Sequence, residues 1–182
     1  MEDSDILKIY KEEGRQEFAF NLLVQKYSER IYWHIRGLTC SHEDSNDLLQ
    51  TTLIKIWKYL PDFREESKLY TWIYKIATNE TLTFLKKKRL SSAISLSNYQ
   101  TVLENKLESD TSFNGDKLQM ALQKAIIKLP DKQRAVFNLR YFKELKYEEI
   151  SQIMGSSVGA LKASYHHAYQ KIKAELEEQF ND

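Results

Sequence analysis

Glycine and proline are scarce, five and two among 182 residues. Closely spaced strands need frequent turn residues, so this shortage argues against an all-β architecture and favours long helices. A single cysteine, Cys40, cannot form an internal disulfide. That excludes a disulfide-stapled secreted scaffold and makes a reducing, cytoplasmic setting the expectation. No apolar run is long enough to span a membrane, and the opening stretch MEDSDILKIYKEEGRQ is acidic where a signal peptide would be basic and then apolar. No membrane insertion is expected. Charge of one sign is also lacking, since the formal net charge is only +1. There is no Walker glycine loop and no Gly-x-Ser-x-Gly elbow, so an enzyme is the weakest reading and no cofactor is expected.

What is present is helical periodicity and local charge. Phe20, Leu23, Tyr27 and Ile31 recur at three-and-four spacing and form one apolar stripe. Ser41 precedes Asp44 as an N-cap, and Leu48, Leu49, Leu53, Ile56, Trp57 and Leu60 follow before Pro61 stops the helix. Trp72, Ile73, Ile76, Phe84 and Leu85 mark a third helix that ends in the basic run Lys86, Lys87, Lys88 and Arg89. No acid lies between Glu80 and Glu104, and none between Glu149 and Glu175. Local basic surfaces therefore sit on a nearly neutral chain. Such a chain should bind DNA weakly alone and depend on a partner to hold it there.

The expected fold is all-α: two small helical domains, over 1–90 and 116–182, joined by a flexible linker over 91–115. The linker stretch is rich in Ser, Asn and acids, with a short helix possible from Val102 to Leu107. Its roughly 25 residues reach about 80 Å at full extension. Beyond it, Leu118, Leu122, Ala125 and Leu129 form an amphipathic helix closed by Pro130. Asp131 is the expected cap of the next helix, with Val136, Leu139 and Tyr141 or Phe142 inward.

The stretch YEEISQIMGSSVGALKASYHHAYQKI reads as a helix-turn-helix. Tyr147, Ile150, Ile153 and Met154 make one inward face, Gly155 suits the left-handed position where a helix ends, and Ser156 or Ser157 caps the next. Val158, Leu161, Tyr165, Ala168 and Ile172 should point inward, leaving Ala160, Lys162, Ala163, Ser164, His166, His167 and Lys171 outward. Small residues near a helix N-terminus permit close entry into a major groove, where longer polar ones reach bases or phosphates. The bland alternative is a helical hairpin with a solvated outer face. A metal site is not expected: His166 and His167 are adjacent and point about 100° apart on a helix. Cys40 beside His34 and His42 reads as a partly buried thiol near solvated histidines.

In the first domain, Asp47, Gln50, Thr51, Ile54, Lys55 and Lys58 lie on or beside one helix face. The stretch from Phe63 brings Tyr70, Trp72, Tyr74, Lys75 and Asn79 toward the basic run. Aromatics beside cations can stack unpaired bases while the charges hold phosphate, though a core role for Trp72 is the simpler reading.

Taken together, the chain resembles sigma factors of the sigma-70 family, in the small extracytoplasmic-function (ECF) group, over about residues 15–180. HEDSNDLLQTTLIKIWKYLPDF looks like region 2.2, FREESKLYTWIYKIATNETLTFLKKKR like regions 2.3 and 2.4, and LPDKQRAVFNLRYFKELKYEEISQIMGSSVGALKASYHHAYQKI like region 4. The resemblance implies a dissociable, non-catalytic subunit that directs core RNA polymerase to promoters. Asp47, Gln50, Thr51, Ile54, Lys55 and Trp57 would bind the core enzyme, through its beta-prime subunit, with beta as a further partner. Phe63, Arg64, Ser67, Lys68, Trp72, Lys75 and Asn79, with Lys86, Lys87, Lys88 and Arg89, would engage the minus-ten element. Ser157, Lys162, Ser164, His166 and His167 would read the minus-thirty-five element as duplex DNA. The linker would pass through the RNA-exit path, and an anti-sigma factor would restrain the protein. Where the family often has Arg, this chain has Ser164 and His167, so bidentate guanine readers are missing there. A stand-alone helix-turn-helix regulator and a sequestering helical protein are the rival classes.

Overall fold

The computed structural model describes residues 1–91, 101–105, 107 and 117–180. The first half holds α1 (Asp3–Lys11), α2 (Gln16–Thr39), α3 (His42–Tyr59), a short 3-10 turn (Leu60–Asp62) and α4 (Leu69–Ser91). The second holds α5 (Lys117–Ile127), α6 (Asp131–Tyr141), α7 (Tyr147–Met154) and α8 (Val158–Phe180). Among the described residues every regular element is helical. The expected all-α class is what the chain adopts.

The predicted apolar stripe becomes the core of the first half. Leu23, Tyr27 and Ile31 of α2 are buried with Leu48 and Ile56 of α3 and Leu69, Ile73 and Ala77 of α4. Ile6 of α1 joins them, and the Tyr27 hydroxyl donates to the Asp3 carboxylate at 2.7 and 2.8 Å, tying α1 to α2. Cys40 ends α2 in the left-handed region, and Ser41 caps α3 by accepting the Asp44 N–H at 3.4 Å. Pro61 sits in the 3-10 turn, where its missing N–H costs little.

In the second half Phe137 is buried against Ala125, Ile126, Leu129, Ala168 and Ile172, and Tyr165 stacks on it at 5.6 Å. Gly155 ends α7 at φ 64, the left-handed geometry glycine adopts without strain, and the Ser157 hydroxyl accepts the Ala160 N–H at 3.2 Å as a cap for α8. One capping expectation fails. Pro130 is the N-cap of α6, and Asp131 is its first helical residue. The Asp131 carboxylate is drawn away by Arg134 at 2.9 Å and Arg89 at 2.8 Å, because a charged donor outcompetes a backbone N–H.

The two halves pack on one another. Tyr74 of α4 is buried among Val136 and Leu139 of α6, Ile150 and Ile153 of α7 and Leu161 of α8. A second cluster joins Leu38 of α2 and Leu85 of α4 to Ala135 of α6. Between them the Asn138 amide donates to the Gly37 carbonyl at 2.9 Å. A Cβ at Gly37 would lie 3.1 Å from the Asn138 amide nitrogen, so glycine is what permits this approach. Residues 101–105 are helical, and Leu103 and Leu107 are buried with Cys40 and Ile127. The remainder of 92–116 lies outside the described residues.

Candidate nucleic-acid interface

Three surfaces carry the predicted site residues. The first is the outer face of α3. Asp47, Gln50, Thr51, Ile54 and Lys58 are exposed there, with Ile54 at 67 % the most exposed large apolar residue of that helix. Trp57 is 42 % exposed and lies edge-on to Phe20 at 5.0 Å, so its ring is half anchored and half presented. Lys55 departs from the group. It turns toward α4 and pairs with Glu80 at 2.6 Å.

The second surface is a cleft of about 390 Å³ at the start of α4. Phe63 and Trp72 form its apolar side, with ring centroids 5.1 Å apart and a 42° tilt. Arg64, Ser67 and Lys75 line the same cleft together with the carboxylates Asp62 and Glu66, and both cations and both acids are exposed. An unstacked ring could rest on the aromatic side while the cations meet its phosphates. Gln152 of α7 also lines the cleft, so part of its wall belongs to the second half.

Lys68 lies beside that cleft and pairs with Glu149 at 3.2 Å, while the Tyr70 hydroxyl donates to the same carboxylate. Glu149 additionally accepts the Lys146 N–H at 3.1 Å, closing the capping box of α7. Burial pushes the Glu149 carboxyl up, but hydrogen bonds from Tyr70, the Lys146 N–H and Lys68 outweigh it and hold the group below its ordinary value. Of the basic run, Lys86 and Lys87 are exposed, whereas Lys88 pairs with Asp44 at 2.6 Å and Arg89 with Asp131. Asn79 is exposed and lines a further surface hollow with Lys86, Arg89 and Lys132.

The third surface is the outer face of α8. Lys162, Ala163, His166 and His167 are exposed, and Ser164 is half-buried. Lys162 sits over the Tyr147 ring at 5.8 Å, and Arg140 lies 5.1 Å from the same ring. Ser157 is exposed, with its hydroxyl used in the cap. Tyr165 and Val158, expected inward, are half-buried.

Two sequence readings are corrected here. Tyr74, grouped with the stacking aromatics, is 6 % exposed and belongs to the core between the halves. His34, expected to be solvated beside Cys40, is buried, and its Nε2 lies 2.8 Å from the Thr78 hydroxyl. The ring points from α2 into α4, where water cannot follow. Burial and the nearby Lys143 ammonium lower its pKa to about 3. Burial likewise pushes the Cys40 thiol up. Among the described residues no group of three or more His, Cys, Asp or Glu could hold a metal, and no helix is long and apolar enough to cross a membrane. Glu149, Asp131 and Gln152 were missed as neighbours of Lys68, Arg89 and the cleft, because nothing local in the sequence brings residues that far apart together.

A helical bundle with an aromatic cleft that presents Arg64 and Lys75, carrying a helix-turn-helix whose second helix has no acid over residues 158–174, defines a bipartite DNA-binding protein. Residues 23–90 match the family model Sigma-70 region 2, and residues 119–172 match Sigma-70, region 4. The ECF RNA polymerase sigma factor SigW of Bacillus subtilis is 27% identical over 166 residues, covering 87% of this chain and 89% of that protein. The ECF RNA polymerase sigma-E factor of Escherichia coli K12 is 30% identical over 162 residues, covering 85% and 84%. Among solved structures, the sigma factor RpoE bound to the anti-sigma factor NepR from Bartonella quintana superposes with a TM-score of 0.68 at 21% identity, covering 87% of this chain and 96% of that one. CnrH, solved with the cytosolic domain of CnrY, gives 0.65 at 19% identity, covering 96% and 94%. The chain belongs to the ECF group of the sigma-70 family, and its function is promoter-specific initiation of transcription by RNA polymerase.

Proposed function

We propose that the three surfaces divide the work of initiation. The first domain, 1–90, docks on core polymerase through Asp47, Gln50, Thr51, Ile54 and Trp57 of α3, with Lys55 at the edge of that footprint. A half-anchored Trp57 beside exposed Ile54 supports this reading, because aromatic anchors at a patch centre carry much of an interface's energy. Phe63 and Trp72 take up an unpaired base of the minus-ten element, while Arg64, Lys75 and Asn79 hold its backbone, with Ser67 at the mouth and Lys86 and Lys87 further along. The second domain, 116–182, lays α8 in the major groove of the minus-thirty-five element. Lys162, His166 and His167 reach the DNA, with Ser157 and Ser164 close to the backbone. The linker, 91–115, spans the two through the RNA-exit path.

Lys68, Lys88 and Arg89 complete the set of proposed phosphate contacts, yet each is paired with a carboxylate in the packed arrangement. For Lys68 and Arg89 that carboxylate belongs to the second domain. Their use on DNA requires the halves to separate, with phosphate replacing Glu149 and Asp131. Core polymerase, through its beta-prime and beta subunits, supplies the separated anchoring points and the chemistry of RNA synthesis. This subunit is non-catalytic and works in the cytoplasm. One of the similar structures is a sigma factor in complex with an anti-sigma factor, and a cognate anti-sigma factor is proposed here too.

The observation that carries this reading is the pairing, on one chain, of an aromatic cleft that presents exposed Arg64 and Lys75 with a separate helix face free of acids over residues 158–174. Run-off transcription with purified core polymerase on promoter libraries tests it. The expected result is initiation at a defined set of promoters only when the chain is added, lost with Trp72→Ala and reduced with Lys162→Ala. Initiation that is the same with and without the chain would sink the reading.

A further inference from the structure

The aromatic cleft at the start of α4 carries two charges that stacking and phosphate contact leave unexplained. Asp62 and Glu66 line it beside the cations Arg64 and Lys75. All four are exposed, and none of their side chains has a hydrogen bond or ion pair among the described residues. Other acids nearby are engaged: Glu65 pairs with Lys11 at 2.5 Å, Glu80 with Lys55 at 2.6 Å and Glu149 with Lys68 at 3.2 Å. Glu65 stands between two cleft residues with a left-handed backbone, φ 58, uncommon for a residue with a Cβ. The chain reverses there, so Glu65 meets α1 while Arg64 and Glu66 remain at the cleft. Cations alone would serve a phosphate better. Acids set among them weaken that attraction and have a use only against a hydrogen-bond donor.

A carboxylate accepts hydrogen bonds and donates none. A base taken out of its stack is read along its Watson–Crick edge. Guanine alone among the DNA bases presents two adjacent donors there, N1–H and the 2-amino group. Cytosine and adenine each set one amino group beside a ring-nitrogen acceptor, and thymine places one N–H between two carbonyls, so each turns at least one acceptor toward a carboxylate. We propose that Asp62 and Glu66 make the cleft selective for an unpaired guanine, whose N1–H and 2-amino group donate to them while its ring rests on Phe63 and Trp72. Arg64 and Lys75 then offset the two acids and hold the adjoining phosphates. This rests on the proposed role of the cleft as the seat of an unpaired promoter base, and it adds which base is chosen and by which side chains.

The test uses the full chain bound to core polymerase and a fork-junction DNA taken from a promoter that the run-off screen returns. Each unpaired nontemplate position carries in turn guanine, adenine, cytosine, thymine, hypoxanthine or 2-aminopurine, and equilibrium competition gives the relative affinities. Expected is one position at which guanine binds about tenfold or more tightly than the other three natural bases, the scale of a hydrogen bond to a charged group. Hypoxanthine lacks the 2-amino group and 2-aminopurine lacks N1–H, so each should lose about tenfold at that position. The double variant Asp62→Asn, Glu66→Gln should bring all bases within about twofold of one another; both residues are exposed and the changes isosteric, so the fold should persist, as its melting point will show. Trp72→Ala should weaken every base at that position alike. The proposal is overturned if no position prefers guanine, if hypoxanthine binds as well as guanine, or if the preference survives in the double variant. In those cases a general loss with Trp72→Ala leaves the cleft's role as a base site standing, whereas no effect of Trp72→Ala on any base removes both.

Discussion

The cleft at the start of α4 and the outer face of α8 are both proposed to meet DNA, yet they stand differently in the packed molecule. On α8, Lys162, His166 and His167 face solvent, and the neighbouring small residues leave the helix approachable. At the cleft, Gln152 forms part of the wall, and the adjacent Lys68 and Tyr70 are tied to Glu149. A helix face that reads duplex needs only charge and shape on one rigid element. A site for an unpaired base needs aromatic walls and depth, and depth is where a second domain can intrude. The difference teaches that the two surfaces should respond unequally to any change at the seam.

The largest expected effect is at the aromatic wall. Trp72→Ala removes a stacking surface worth about 1–3 kcal/mol per base, so promoter opening should fall by roughly 5- to 150-fold while binding of a fully duplex upstream element changes little. Permanganate footprinting together with duplex titration separates the two, and equal losses in both would erase the contrast. Circular dichroism guards against loss of fold, because Trp72 is half-buried against Phe63.

Next is the seam, through His34. Its pKa falls from 6.5 to about 3 on folding, with Lys143 a cause after burial, and Tyr74 packs edge-on at 5.0 Å. Above pH 6.5 the ring is neutral in both states and costs nothing. Below 6.5 the unfolded chain takes up a proton that the folded chain refuses, so stability is lost as pH falls from 6.5 toward 3. The loss is at most ~1.4 kcal/mol per pH unit, or about 2 kcal/mol by pH 5. Denaturant midpoints at pH 7 and 5 should therefore separate less for His34→Gln than for the natural chain. Parallel shifts in the two would remove His34 from the account.

A smaller effect belongs to α8. Lys162→Ala should lower the slope of log affinity against log salt by about 0.9 on duplex DNA, nearly uniformly across sequences. An unchanged slope would mean that Lys162 does not neutralise a phosphate. The smallest change expected is the stability of Ile54→Ala, within about 0.5 kcal/mol because the side chain is already exposed. Its affinity for core polymerase should nevertheless drop, and a pull-down in which binding is unaltered would move the docking face elsewhere.

Much of this was legible in the chain. The three-and-four stripe of α2 did become the first core, Ser41 did cap α3, and Gly155 did end α7 in the left-handed region. Each depends on residues a few positions apart, where helical geometry alone decides who meets whom. Tyr74 was misread for the opposite reason. α4 is buried on two sides, with Ile73 and Ala77 toward one core and Tyr74, Thr78, Thr81 and Leu85 also covered, so its pattern has no clean stripe. Threonines and alanines along a helix permit close packing without announcing it in hydropathy. His34 was lost in the same way, since its cover comes from Thr78 and Tyr74, some forty residues on.

By itself the order of residues determined the helices, most of their caps and the family, because periodicity, capping and motif spacing are local or linear properties. Only the tertiary structure decided that Glu149 and Asp131 hold cations of the opposite half and that His34 is kept neutral. Those features depend on which surfaces exclude water together. That is fixed by the packing of distant segments and is not written in any one of them.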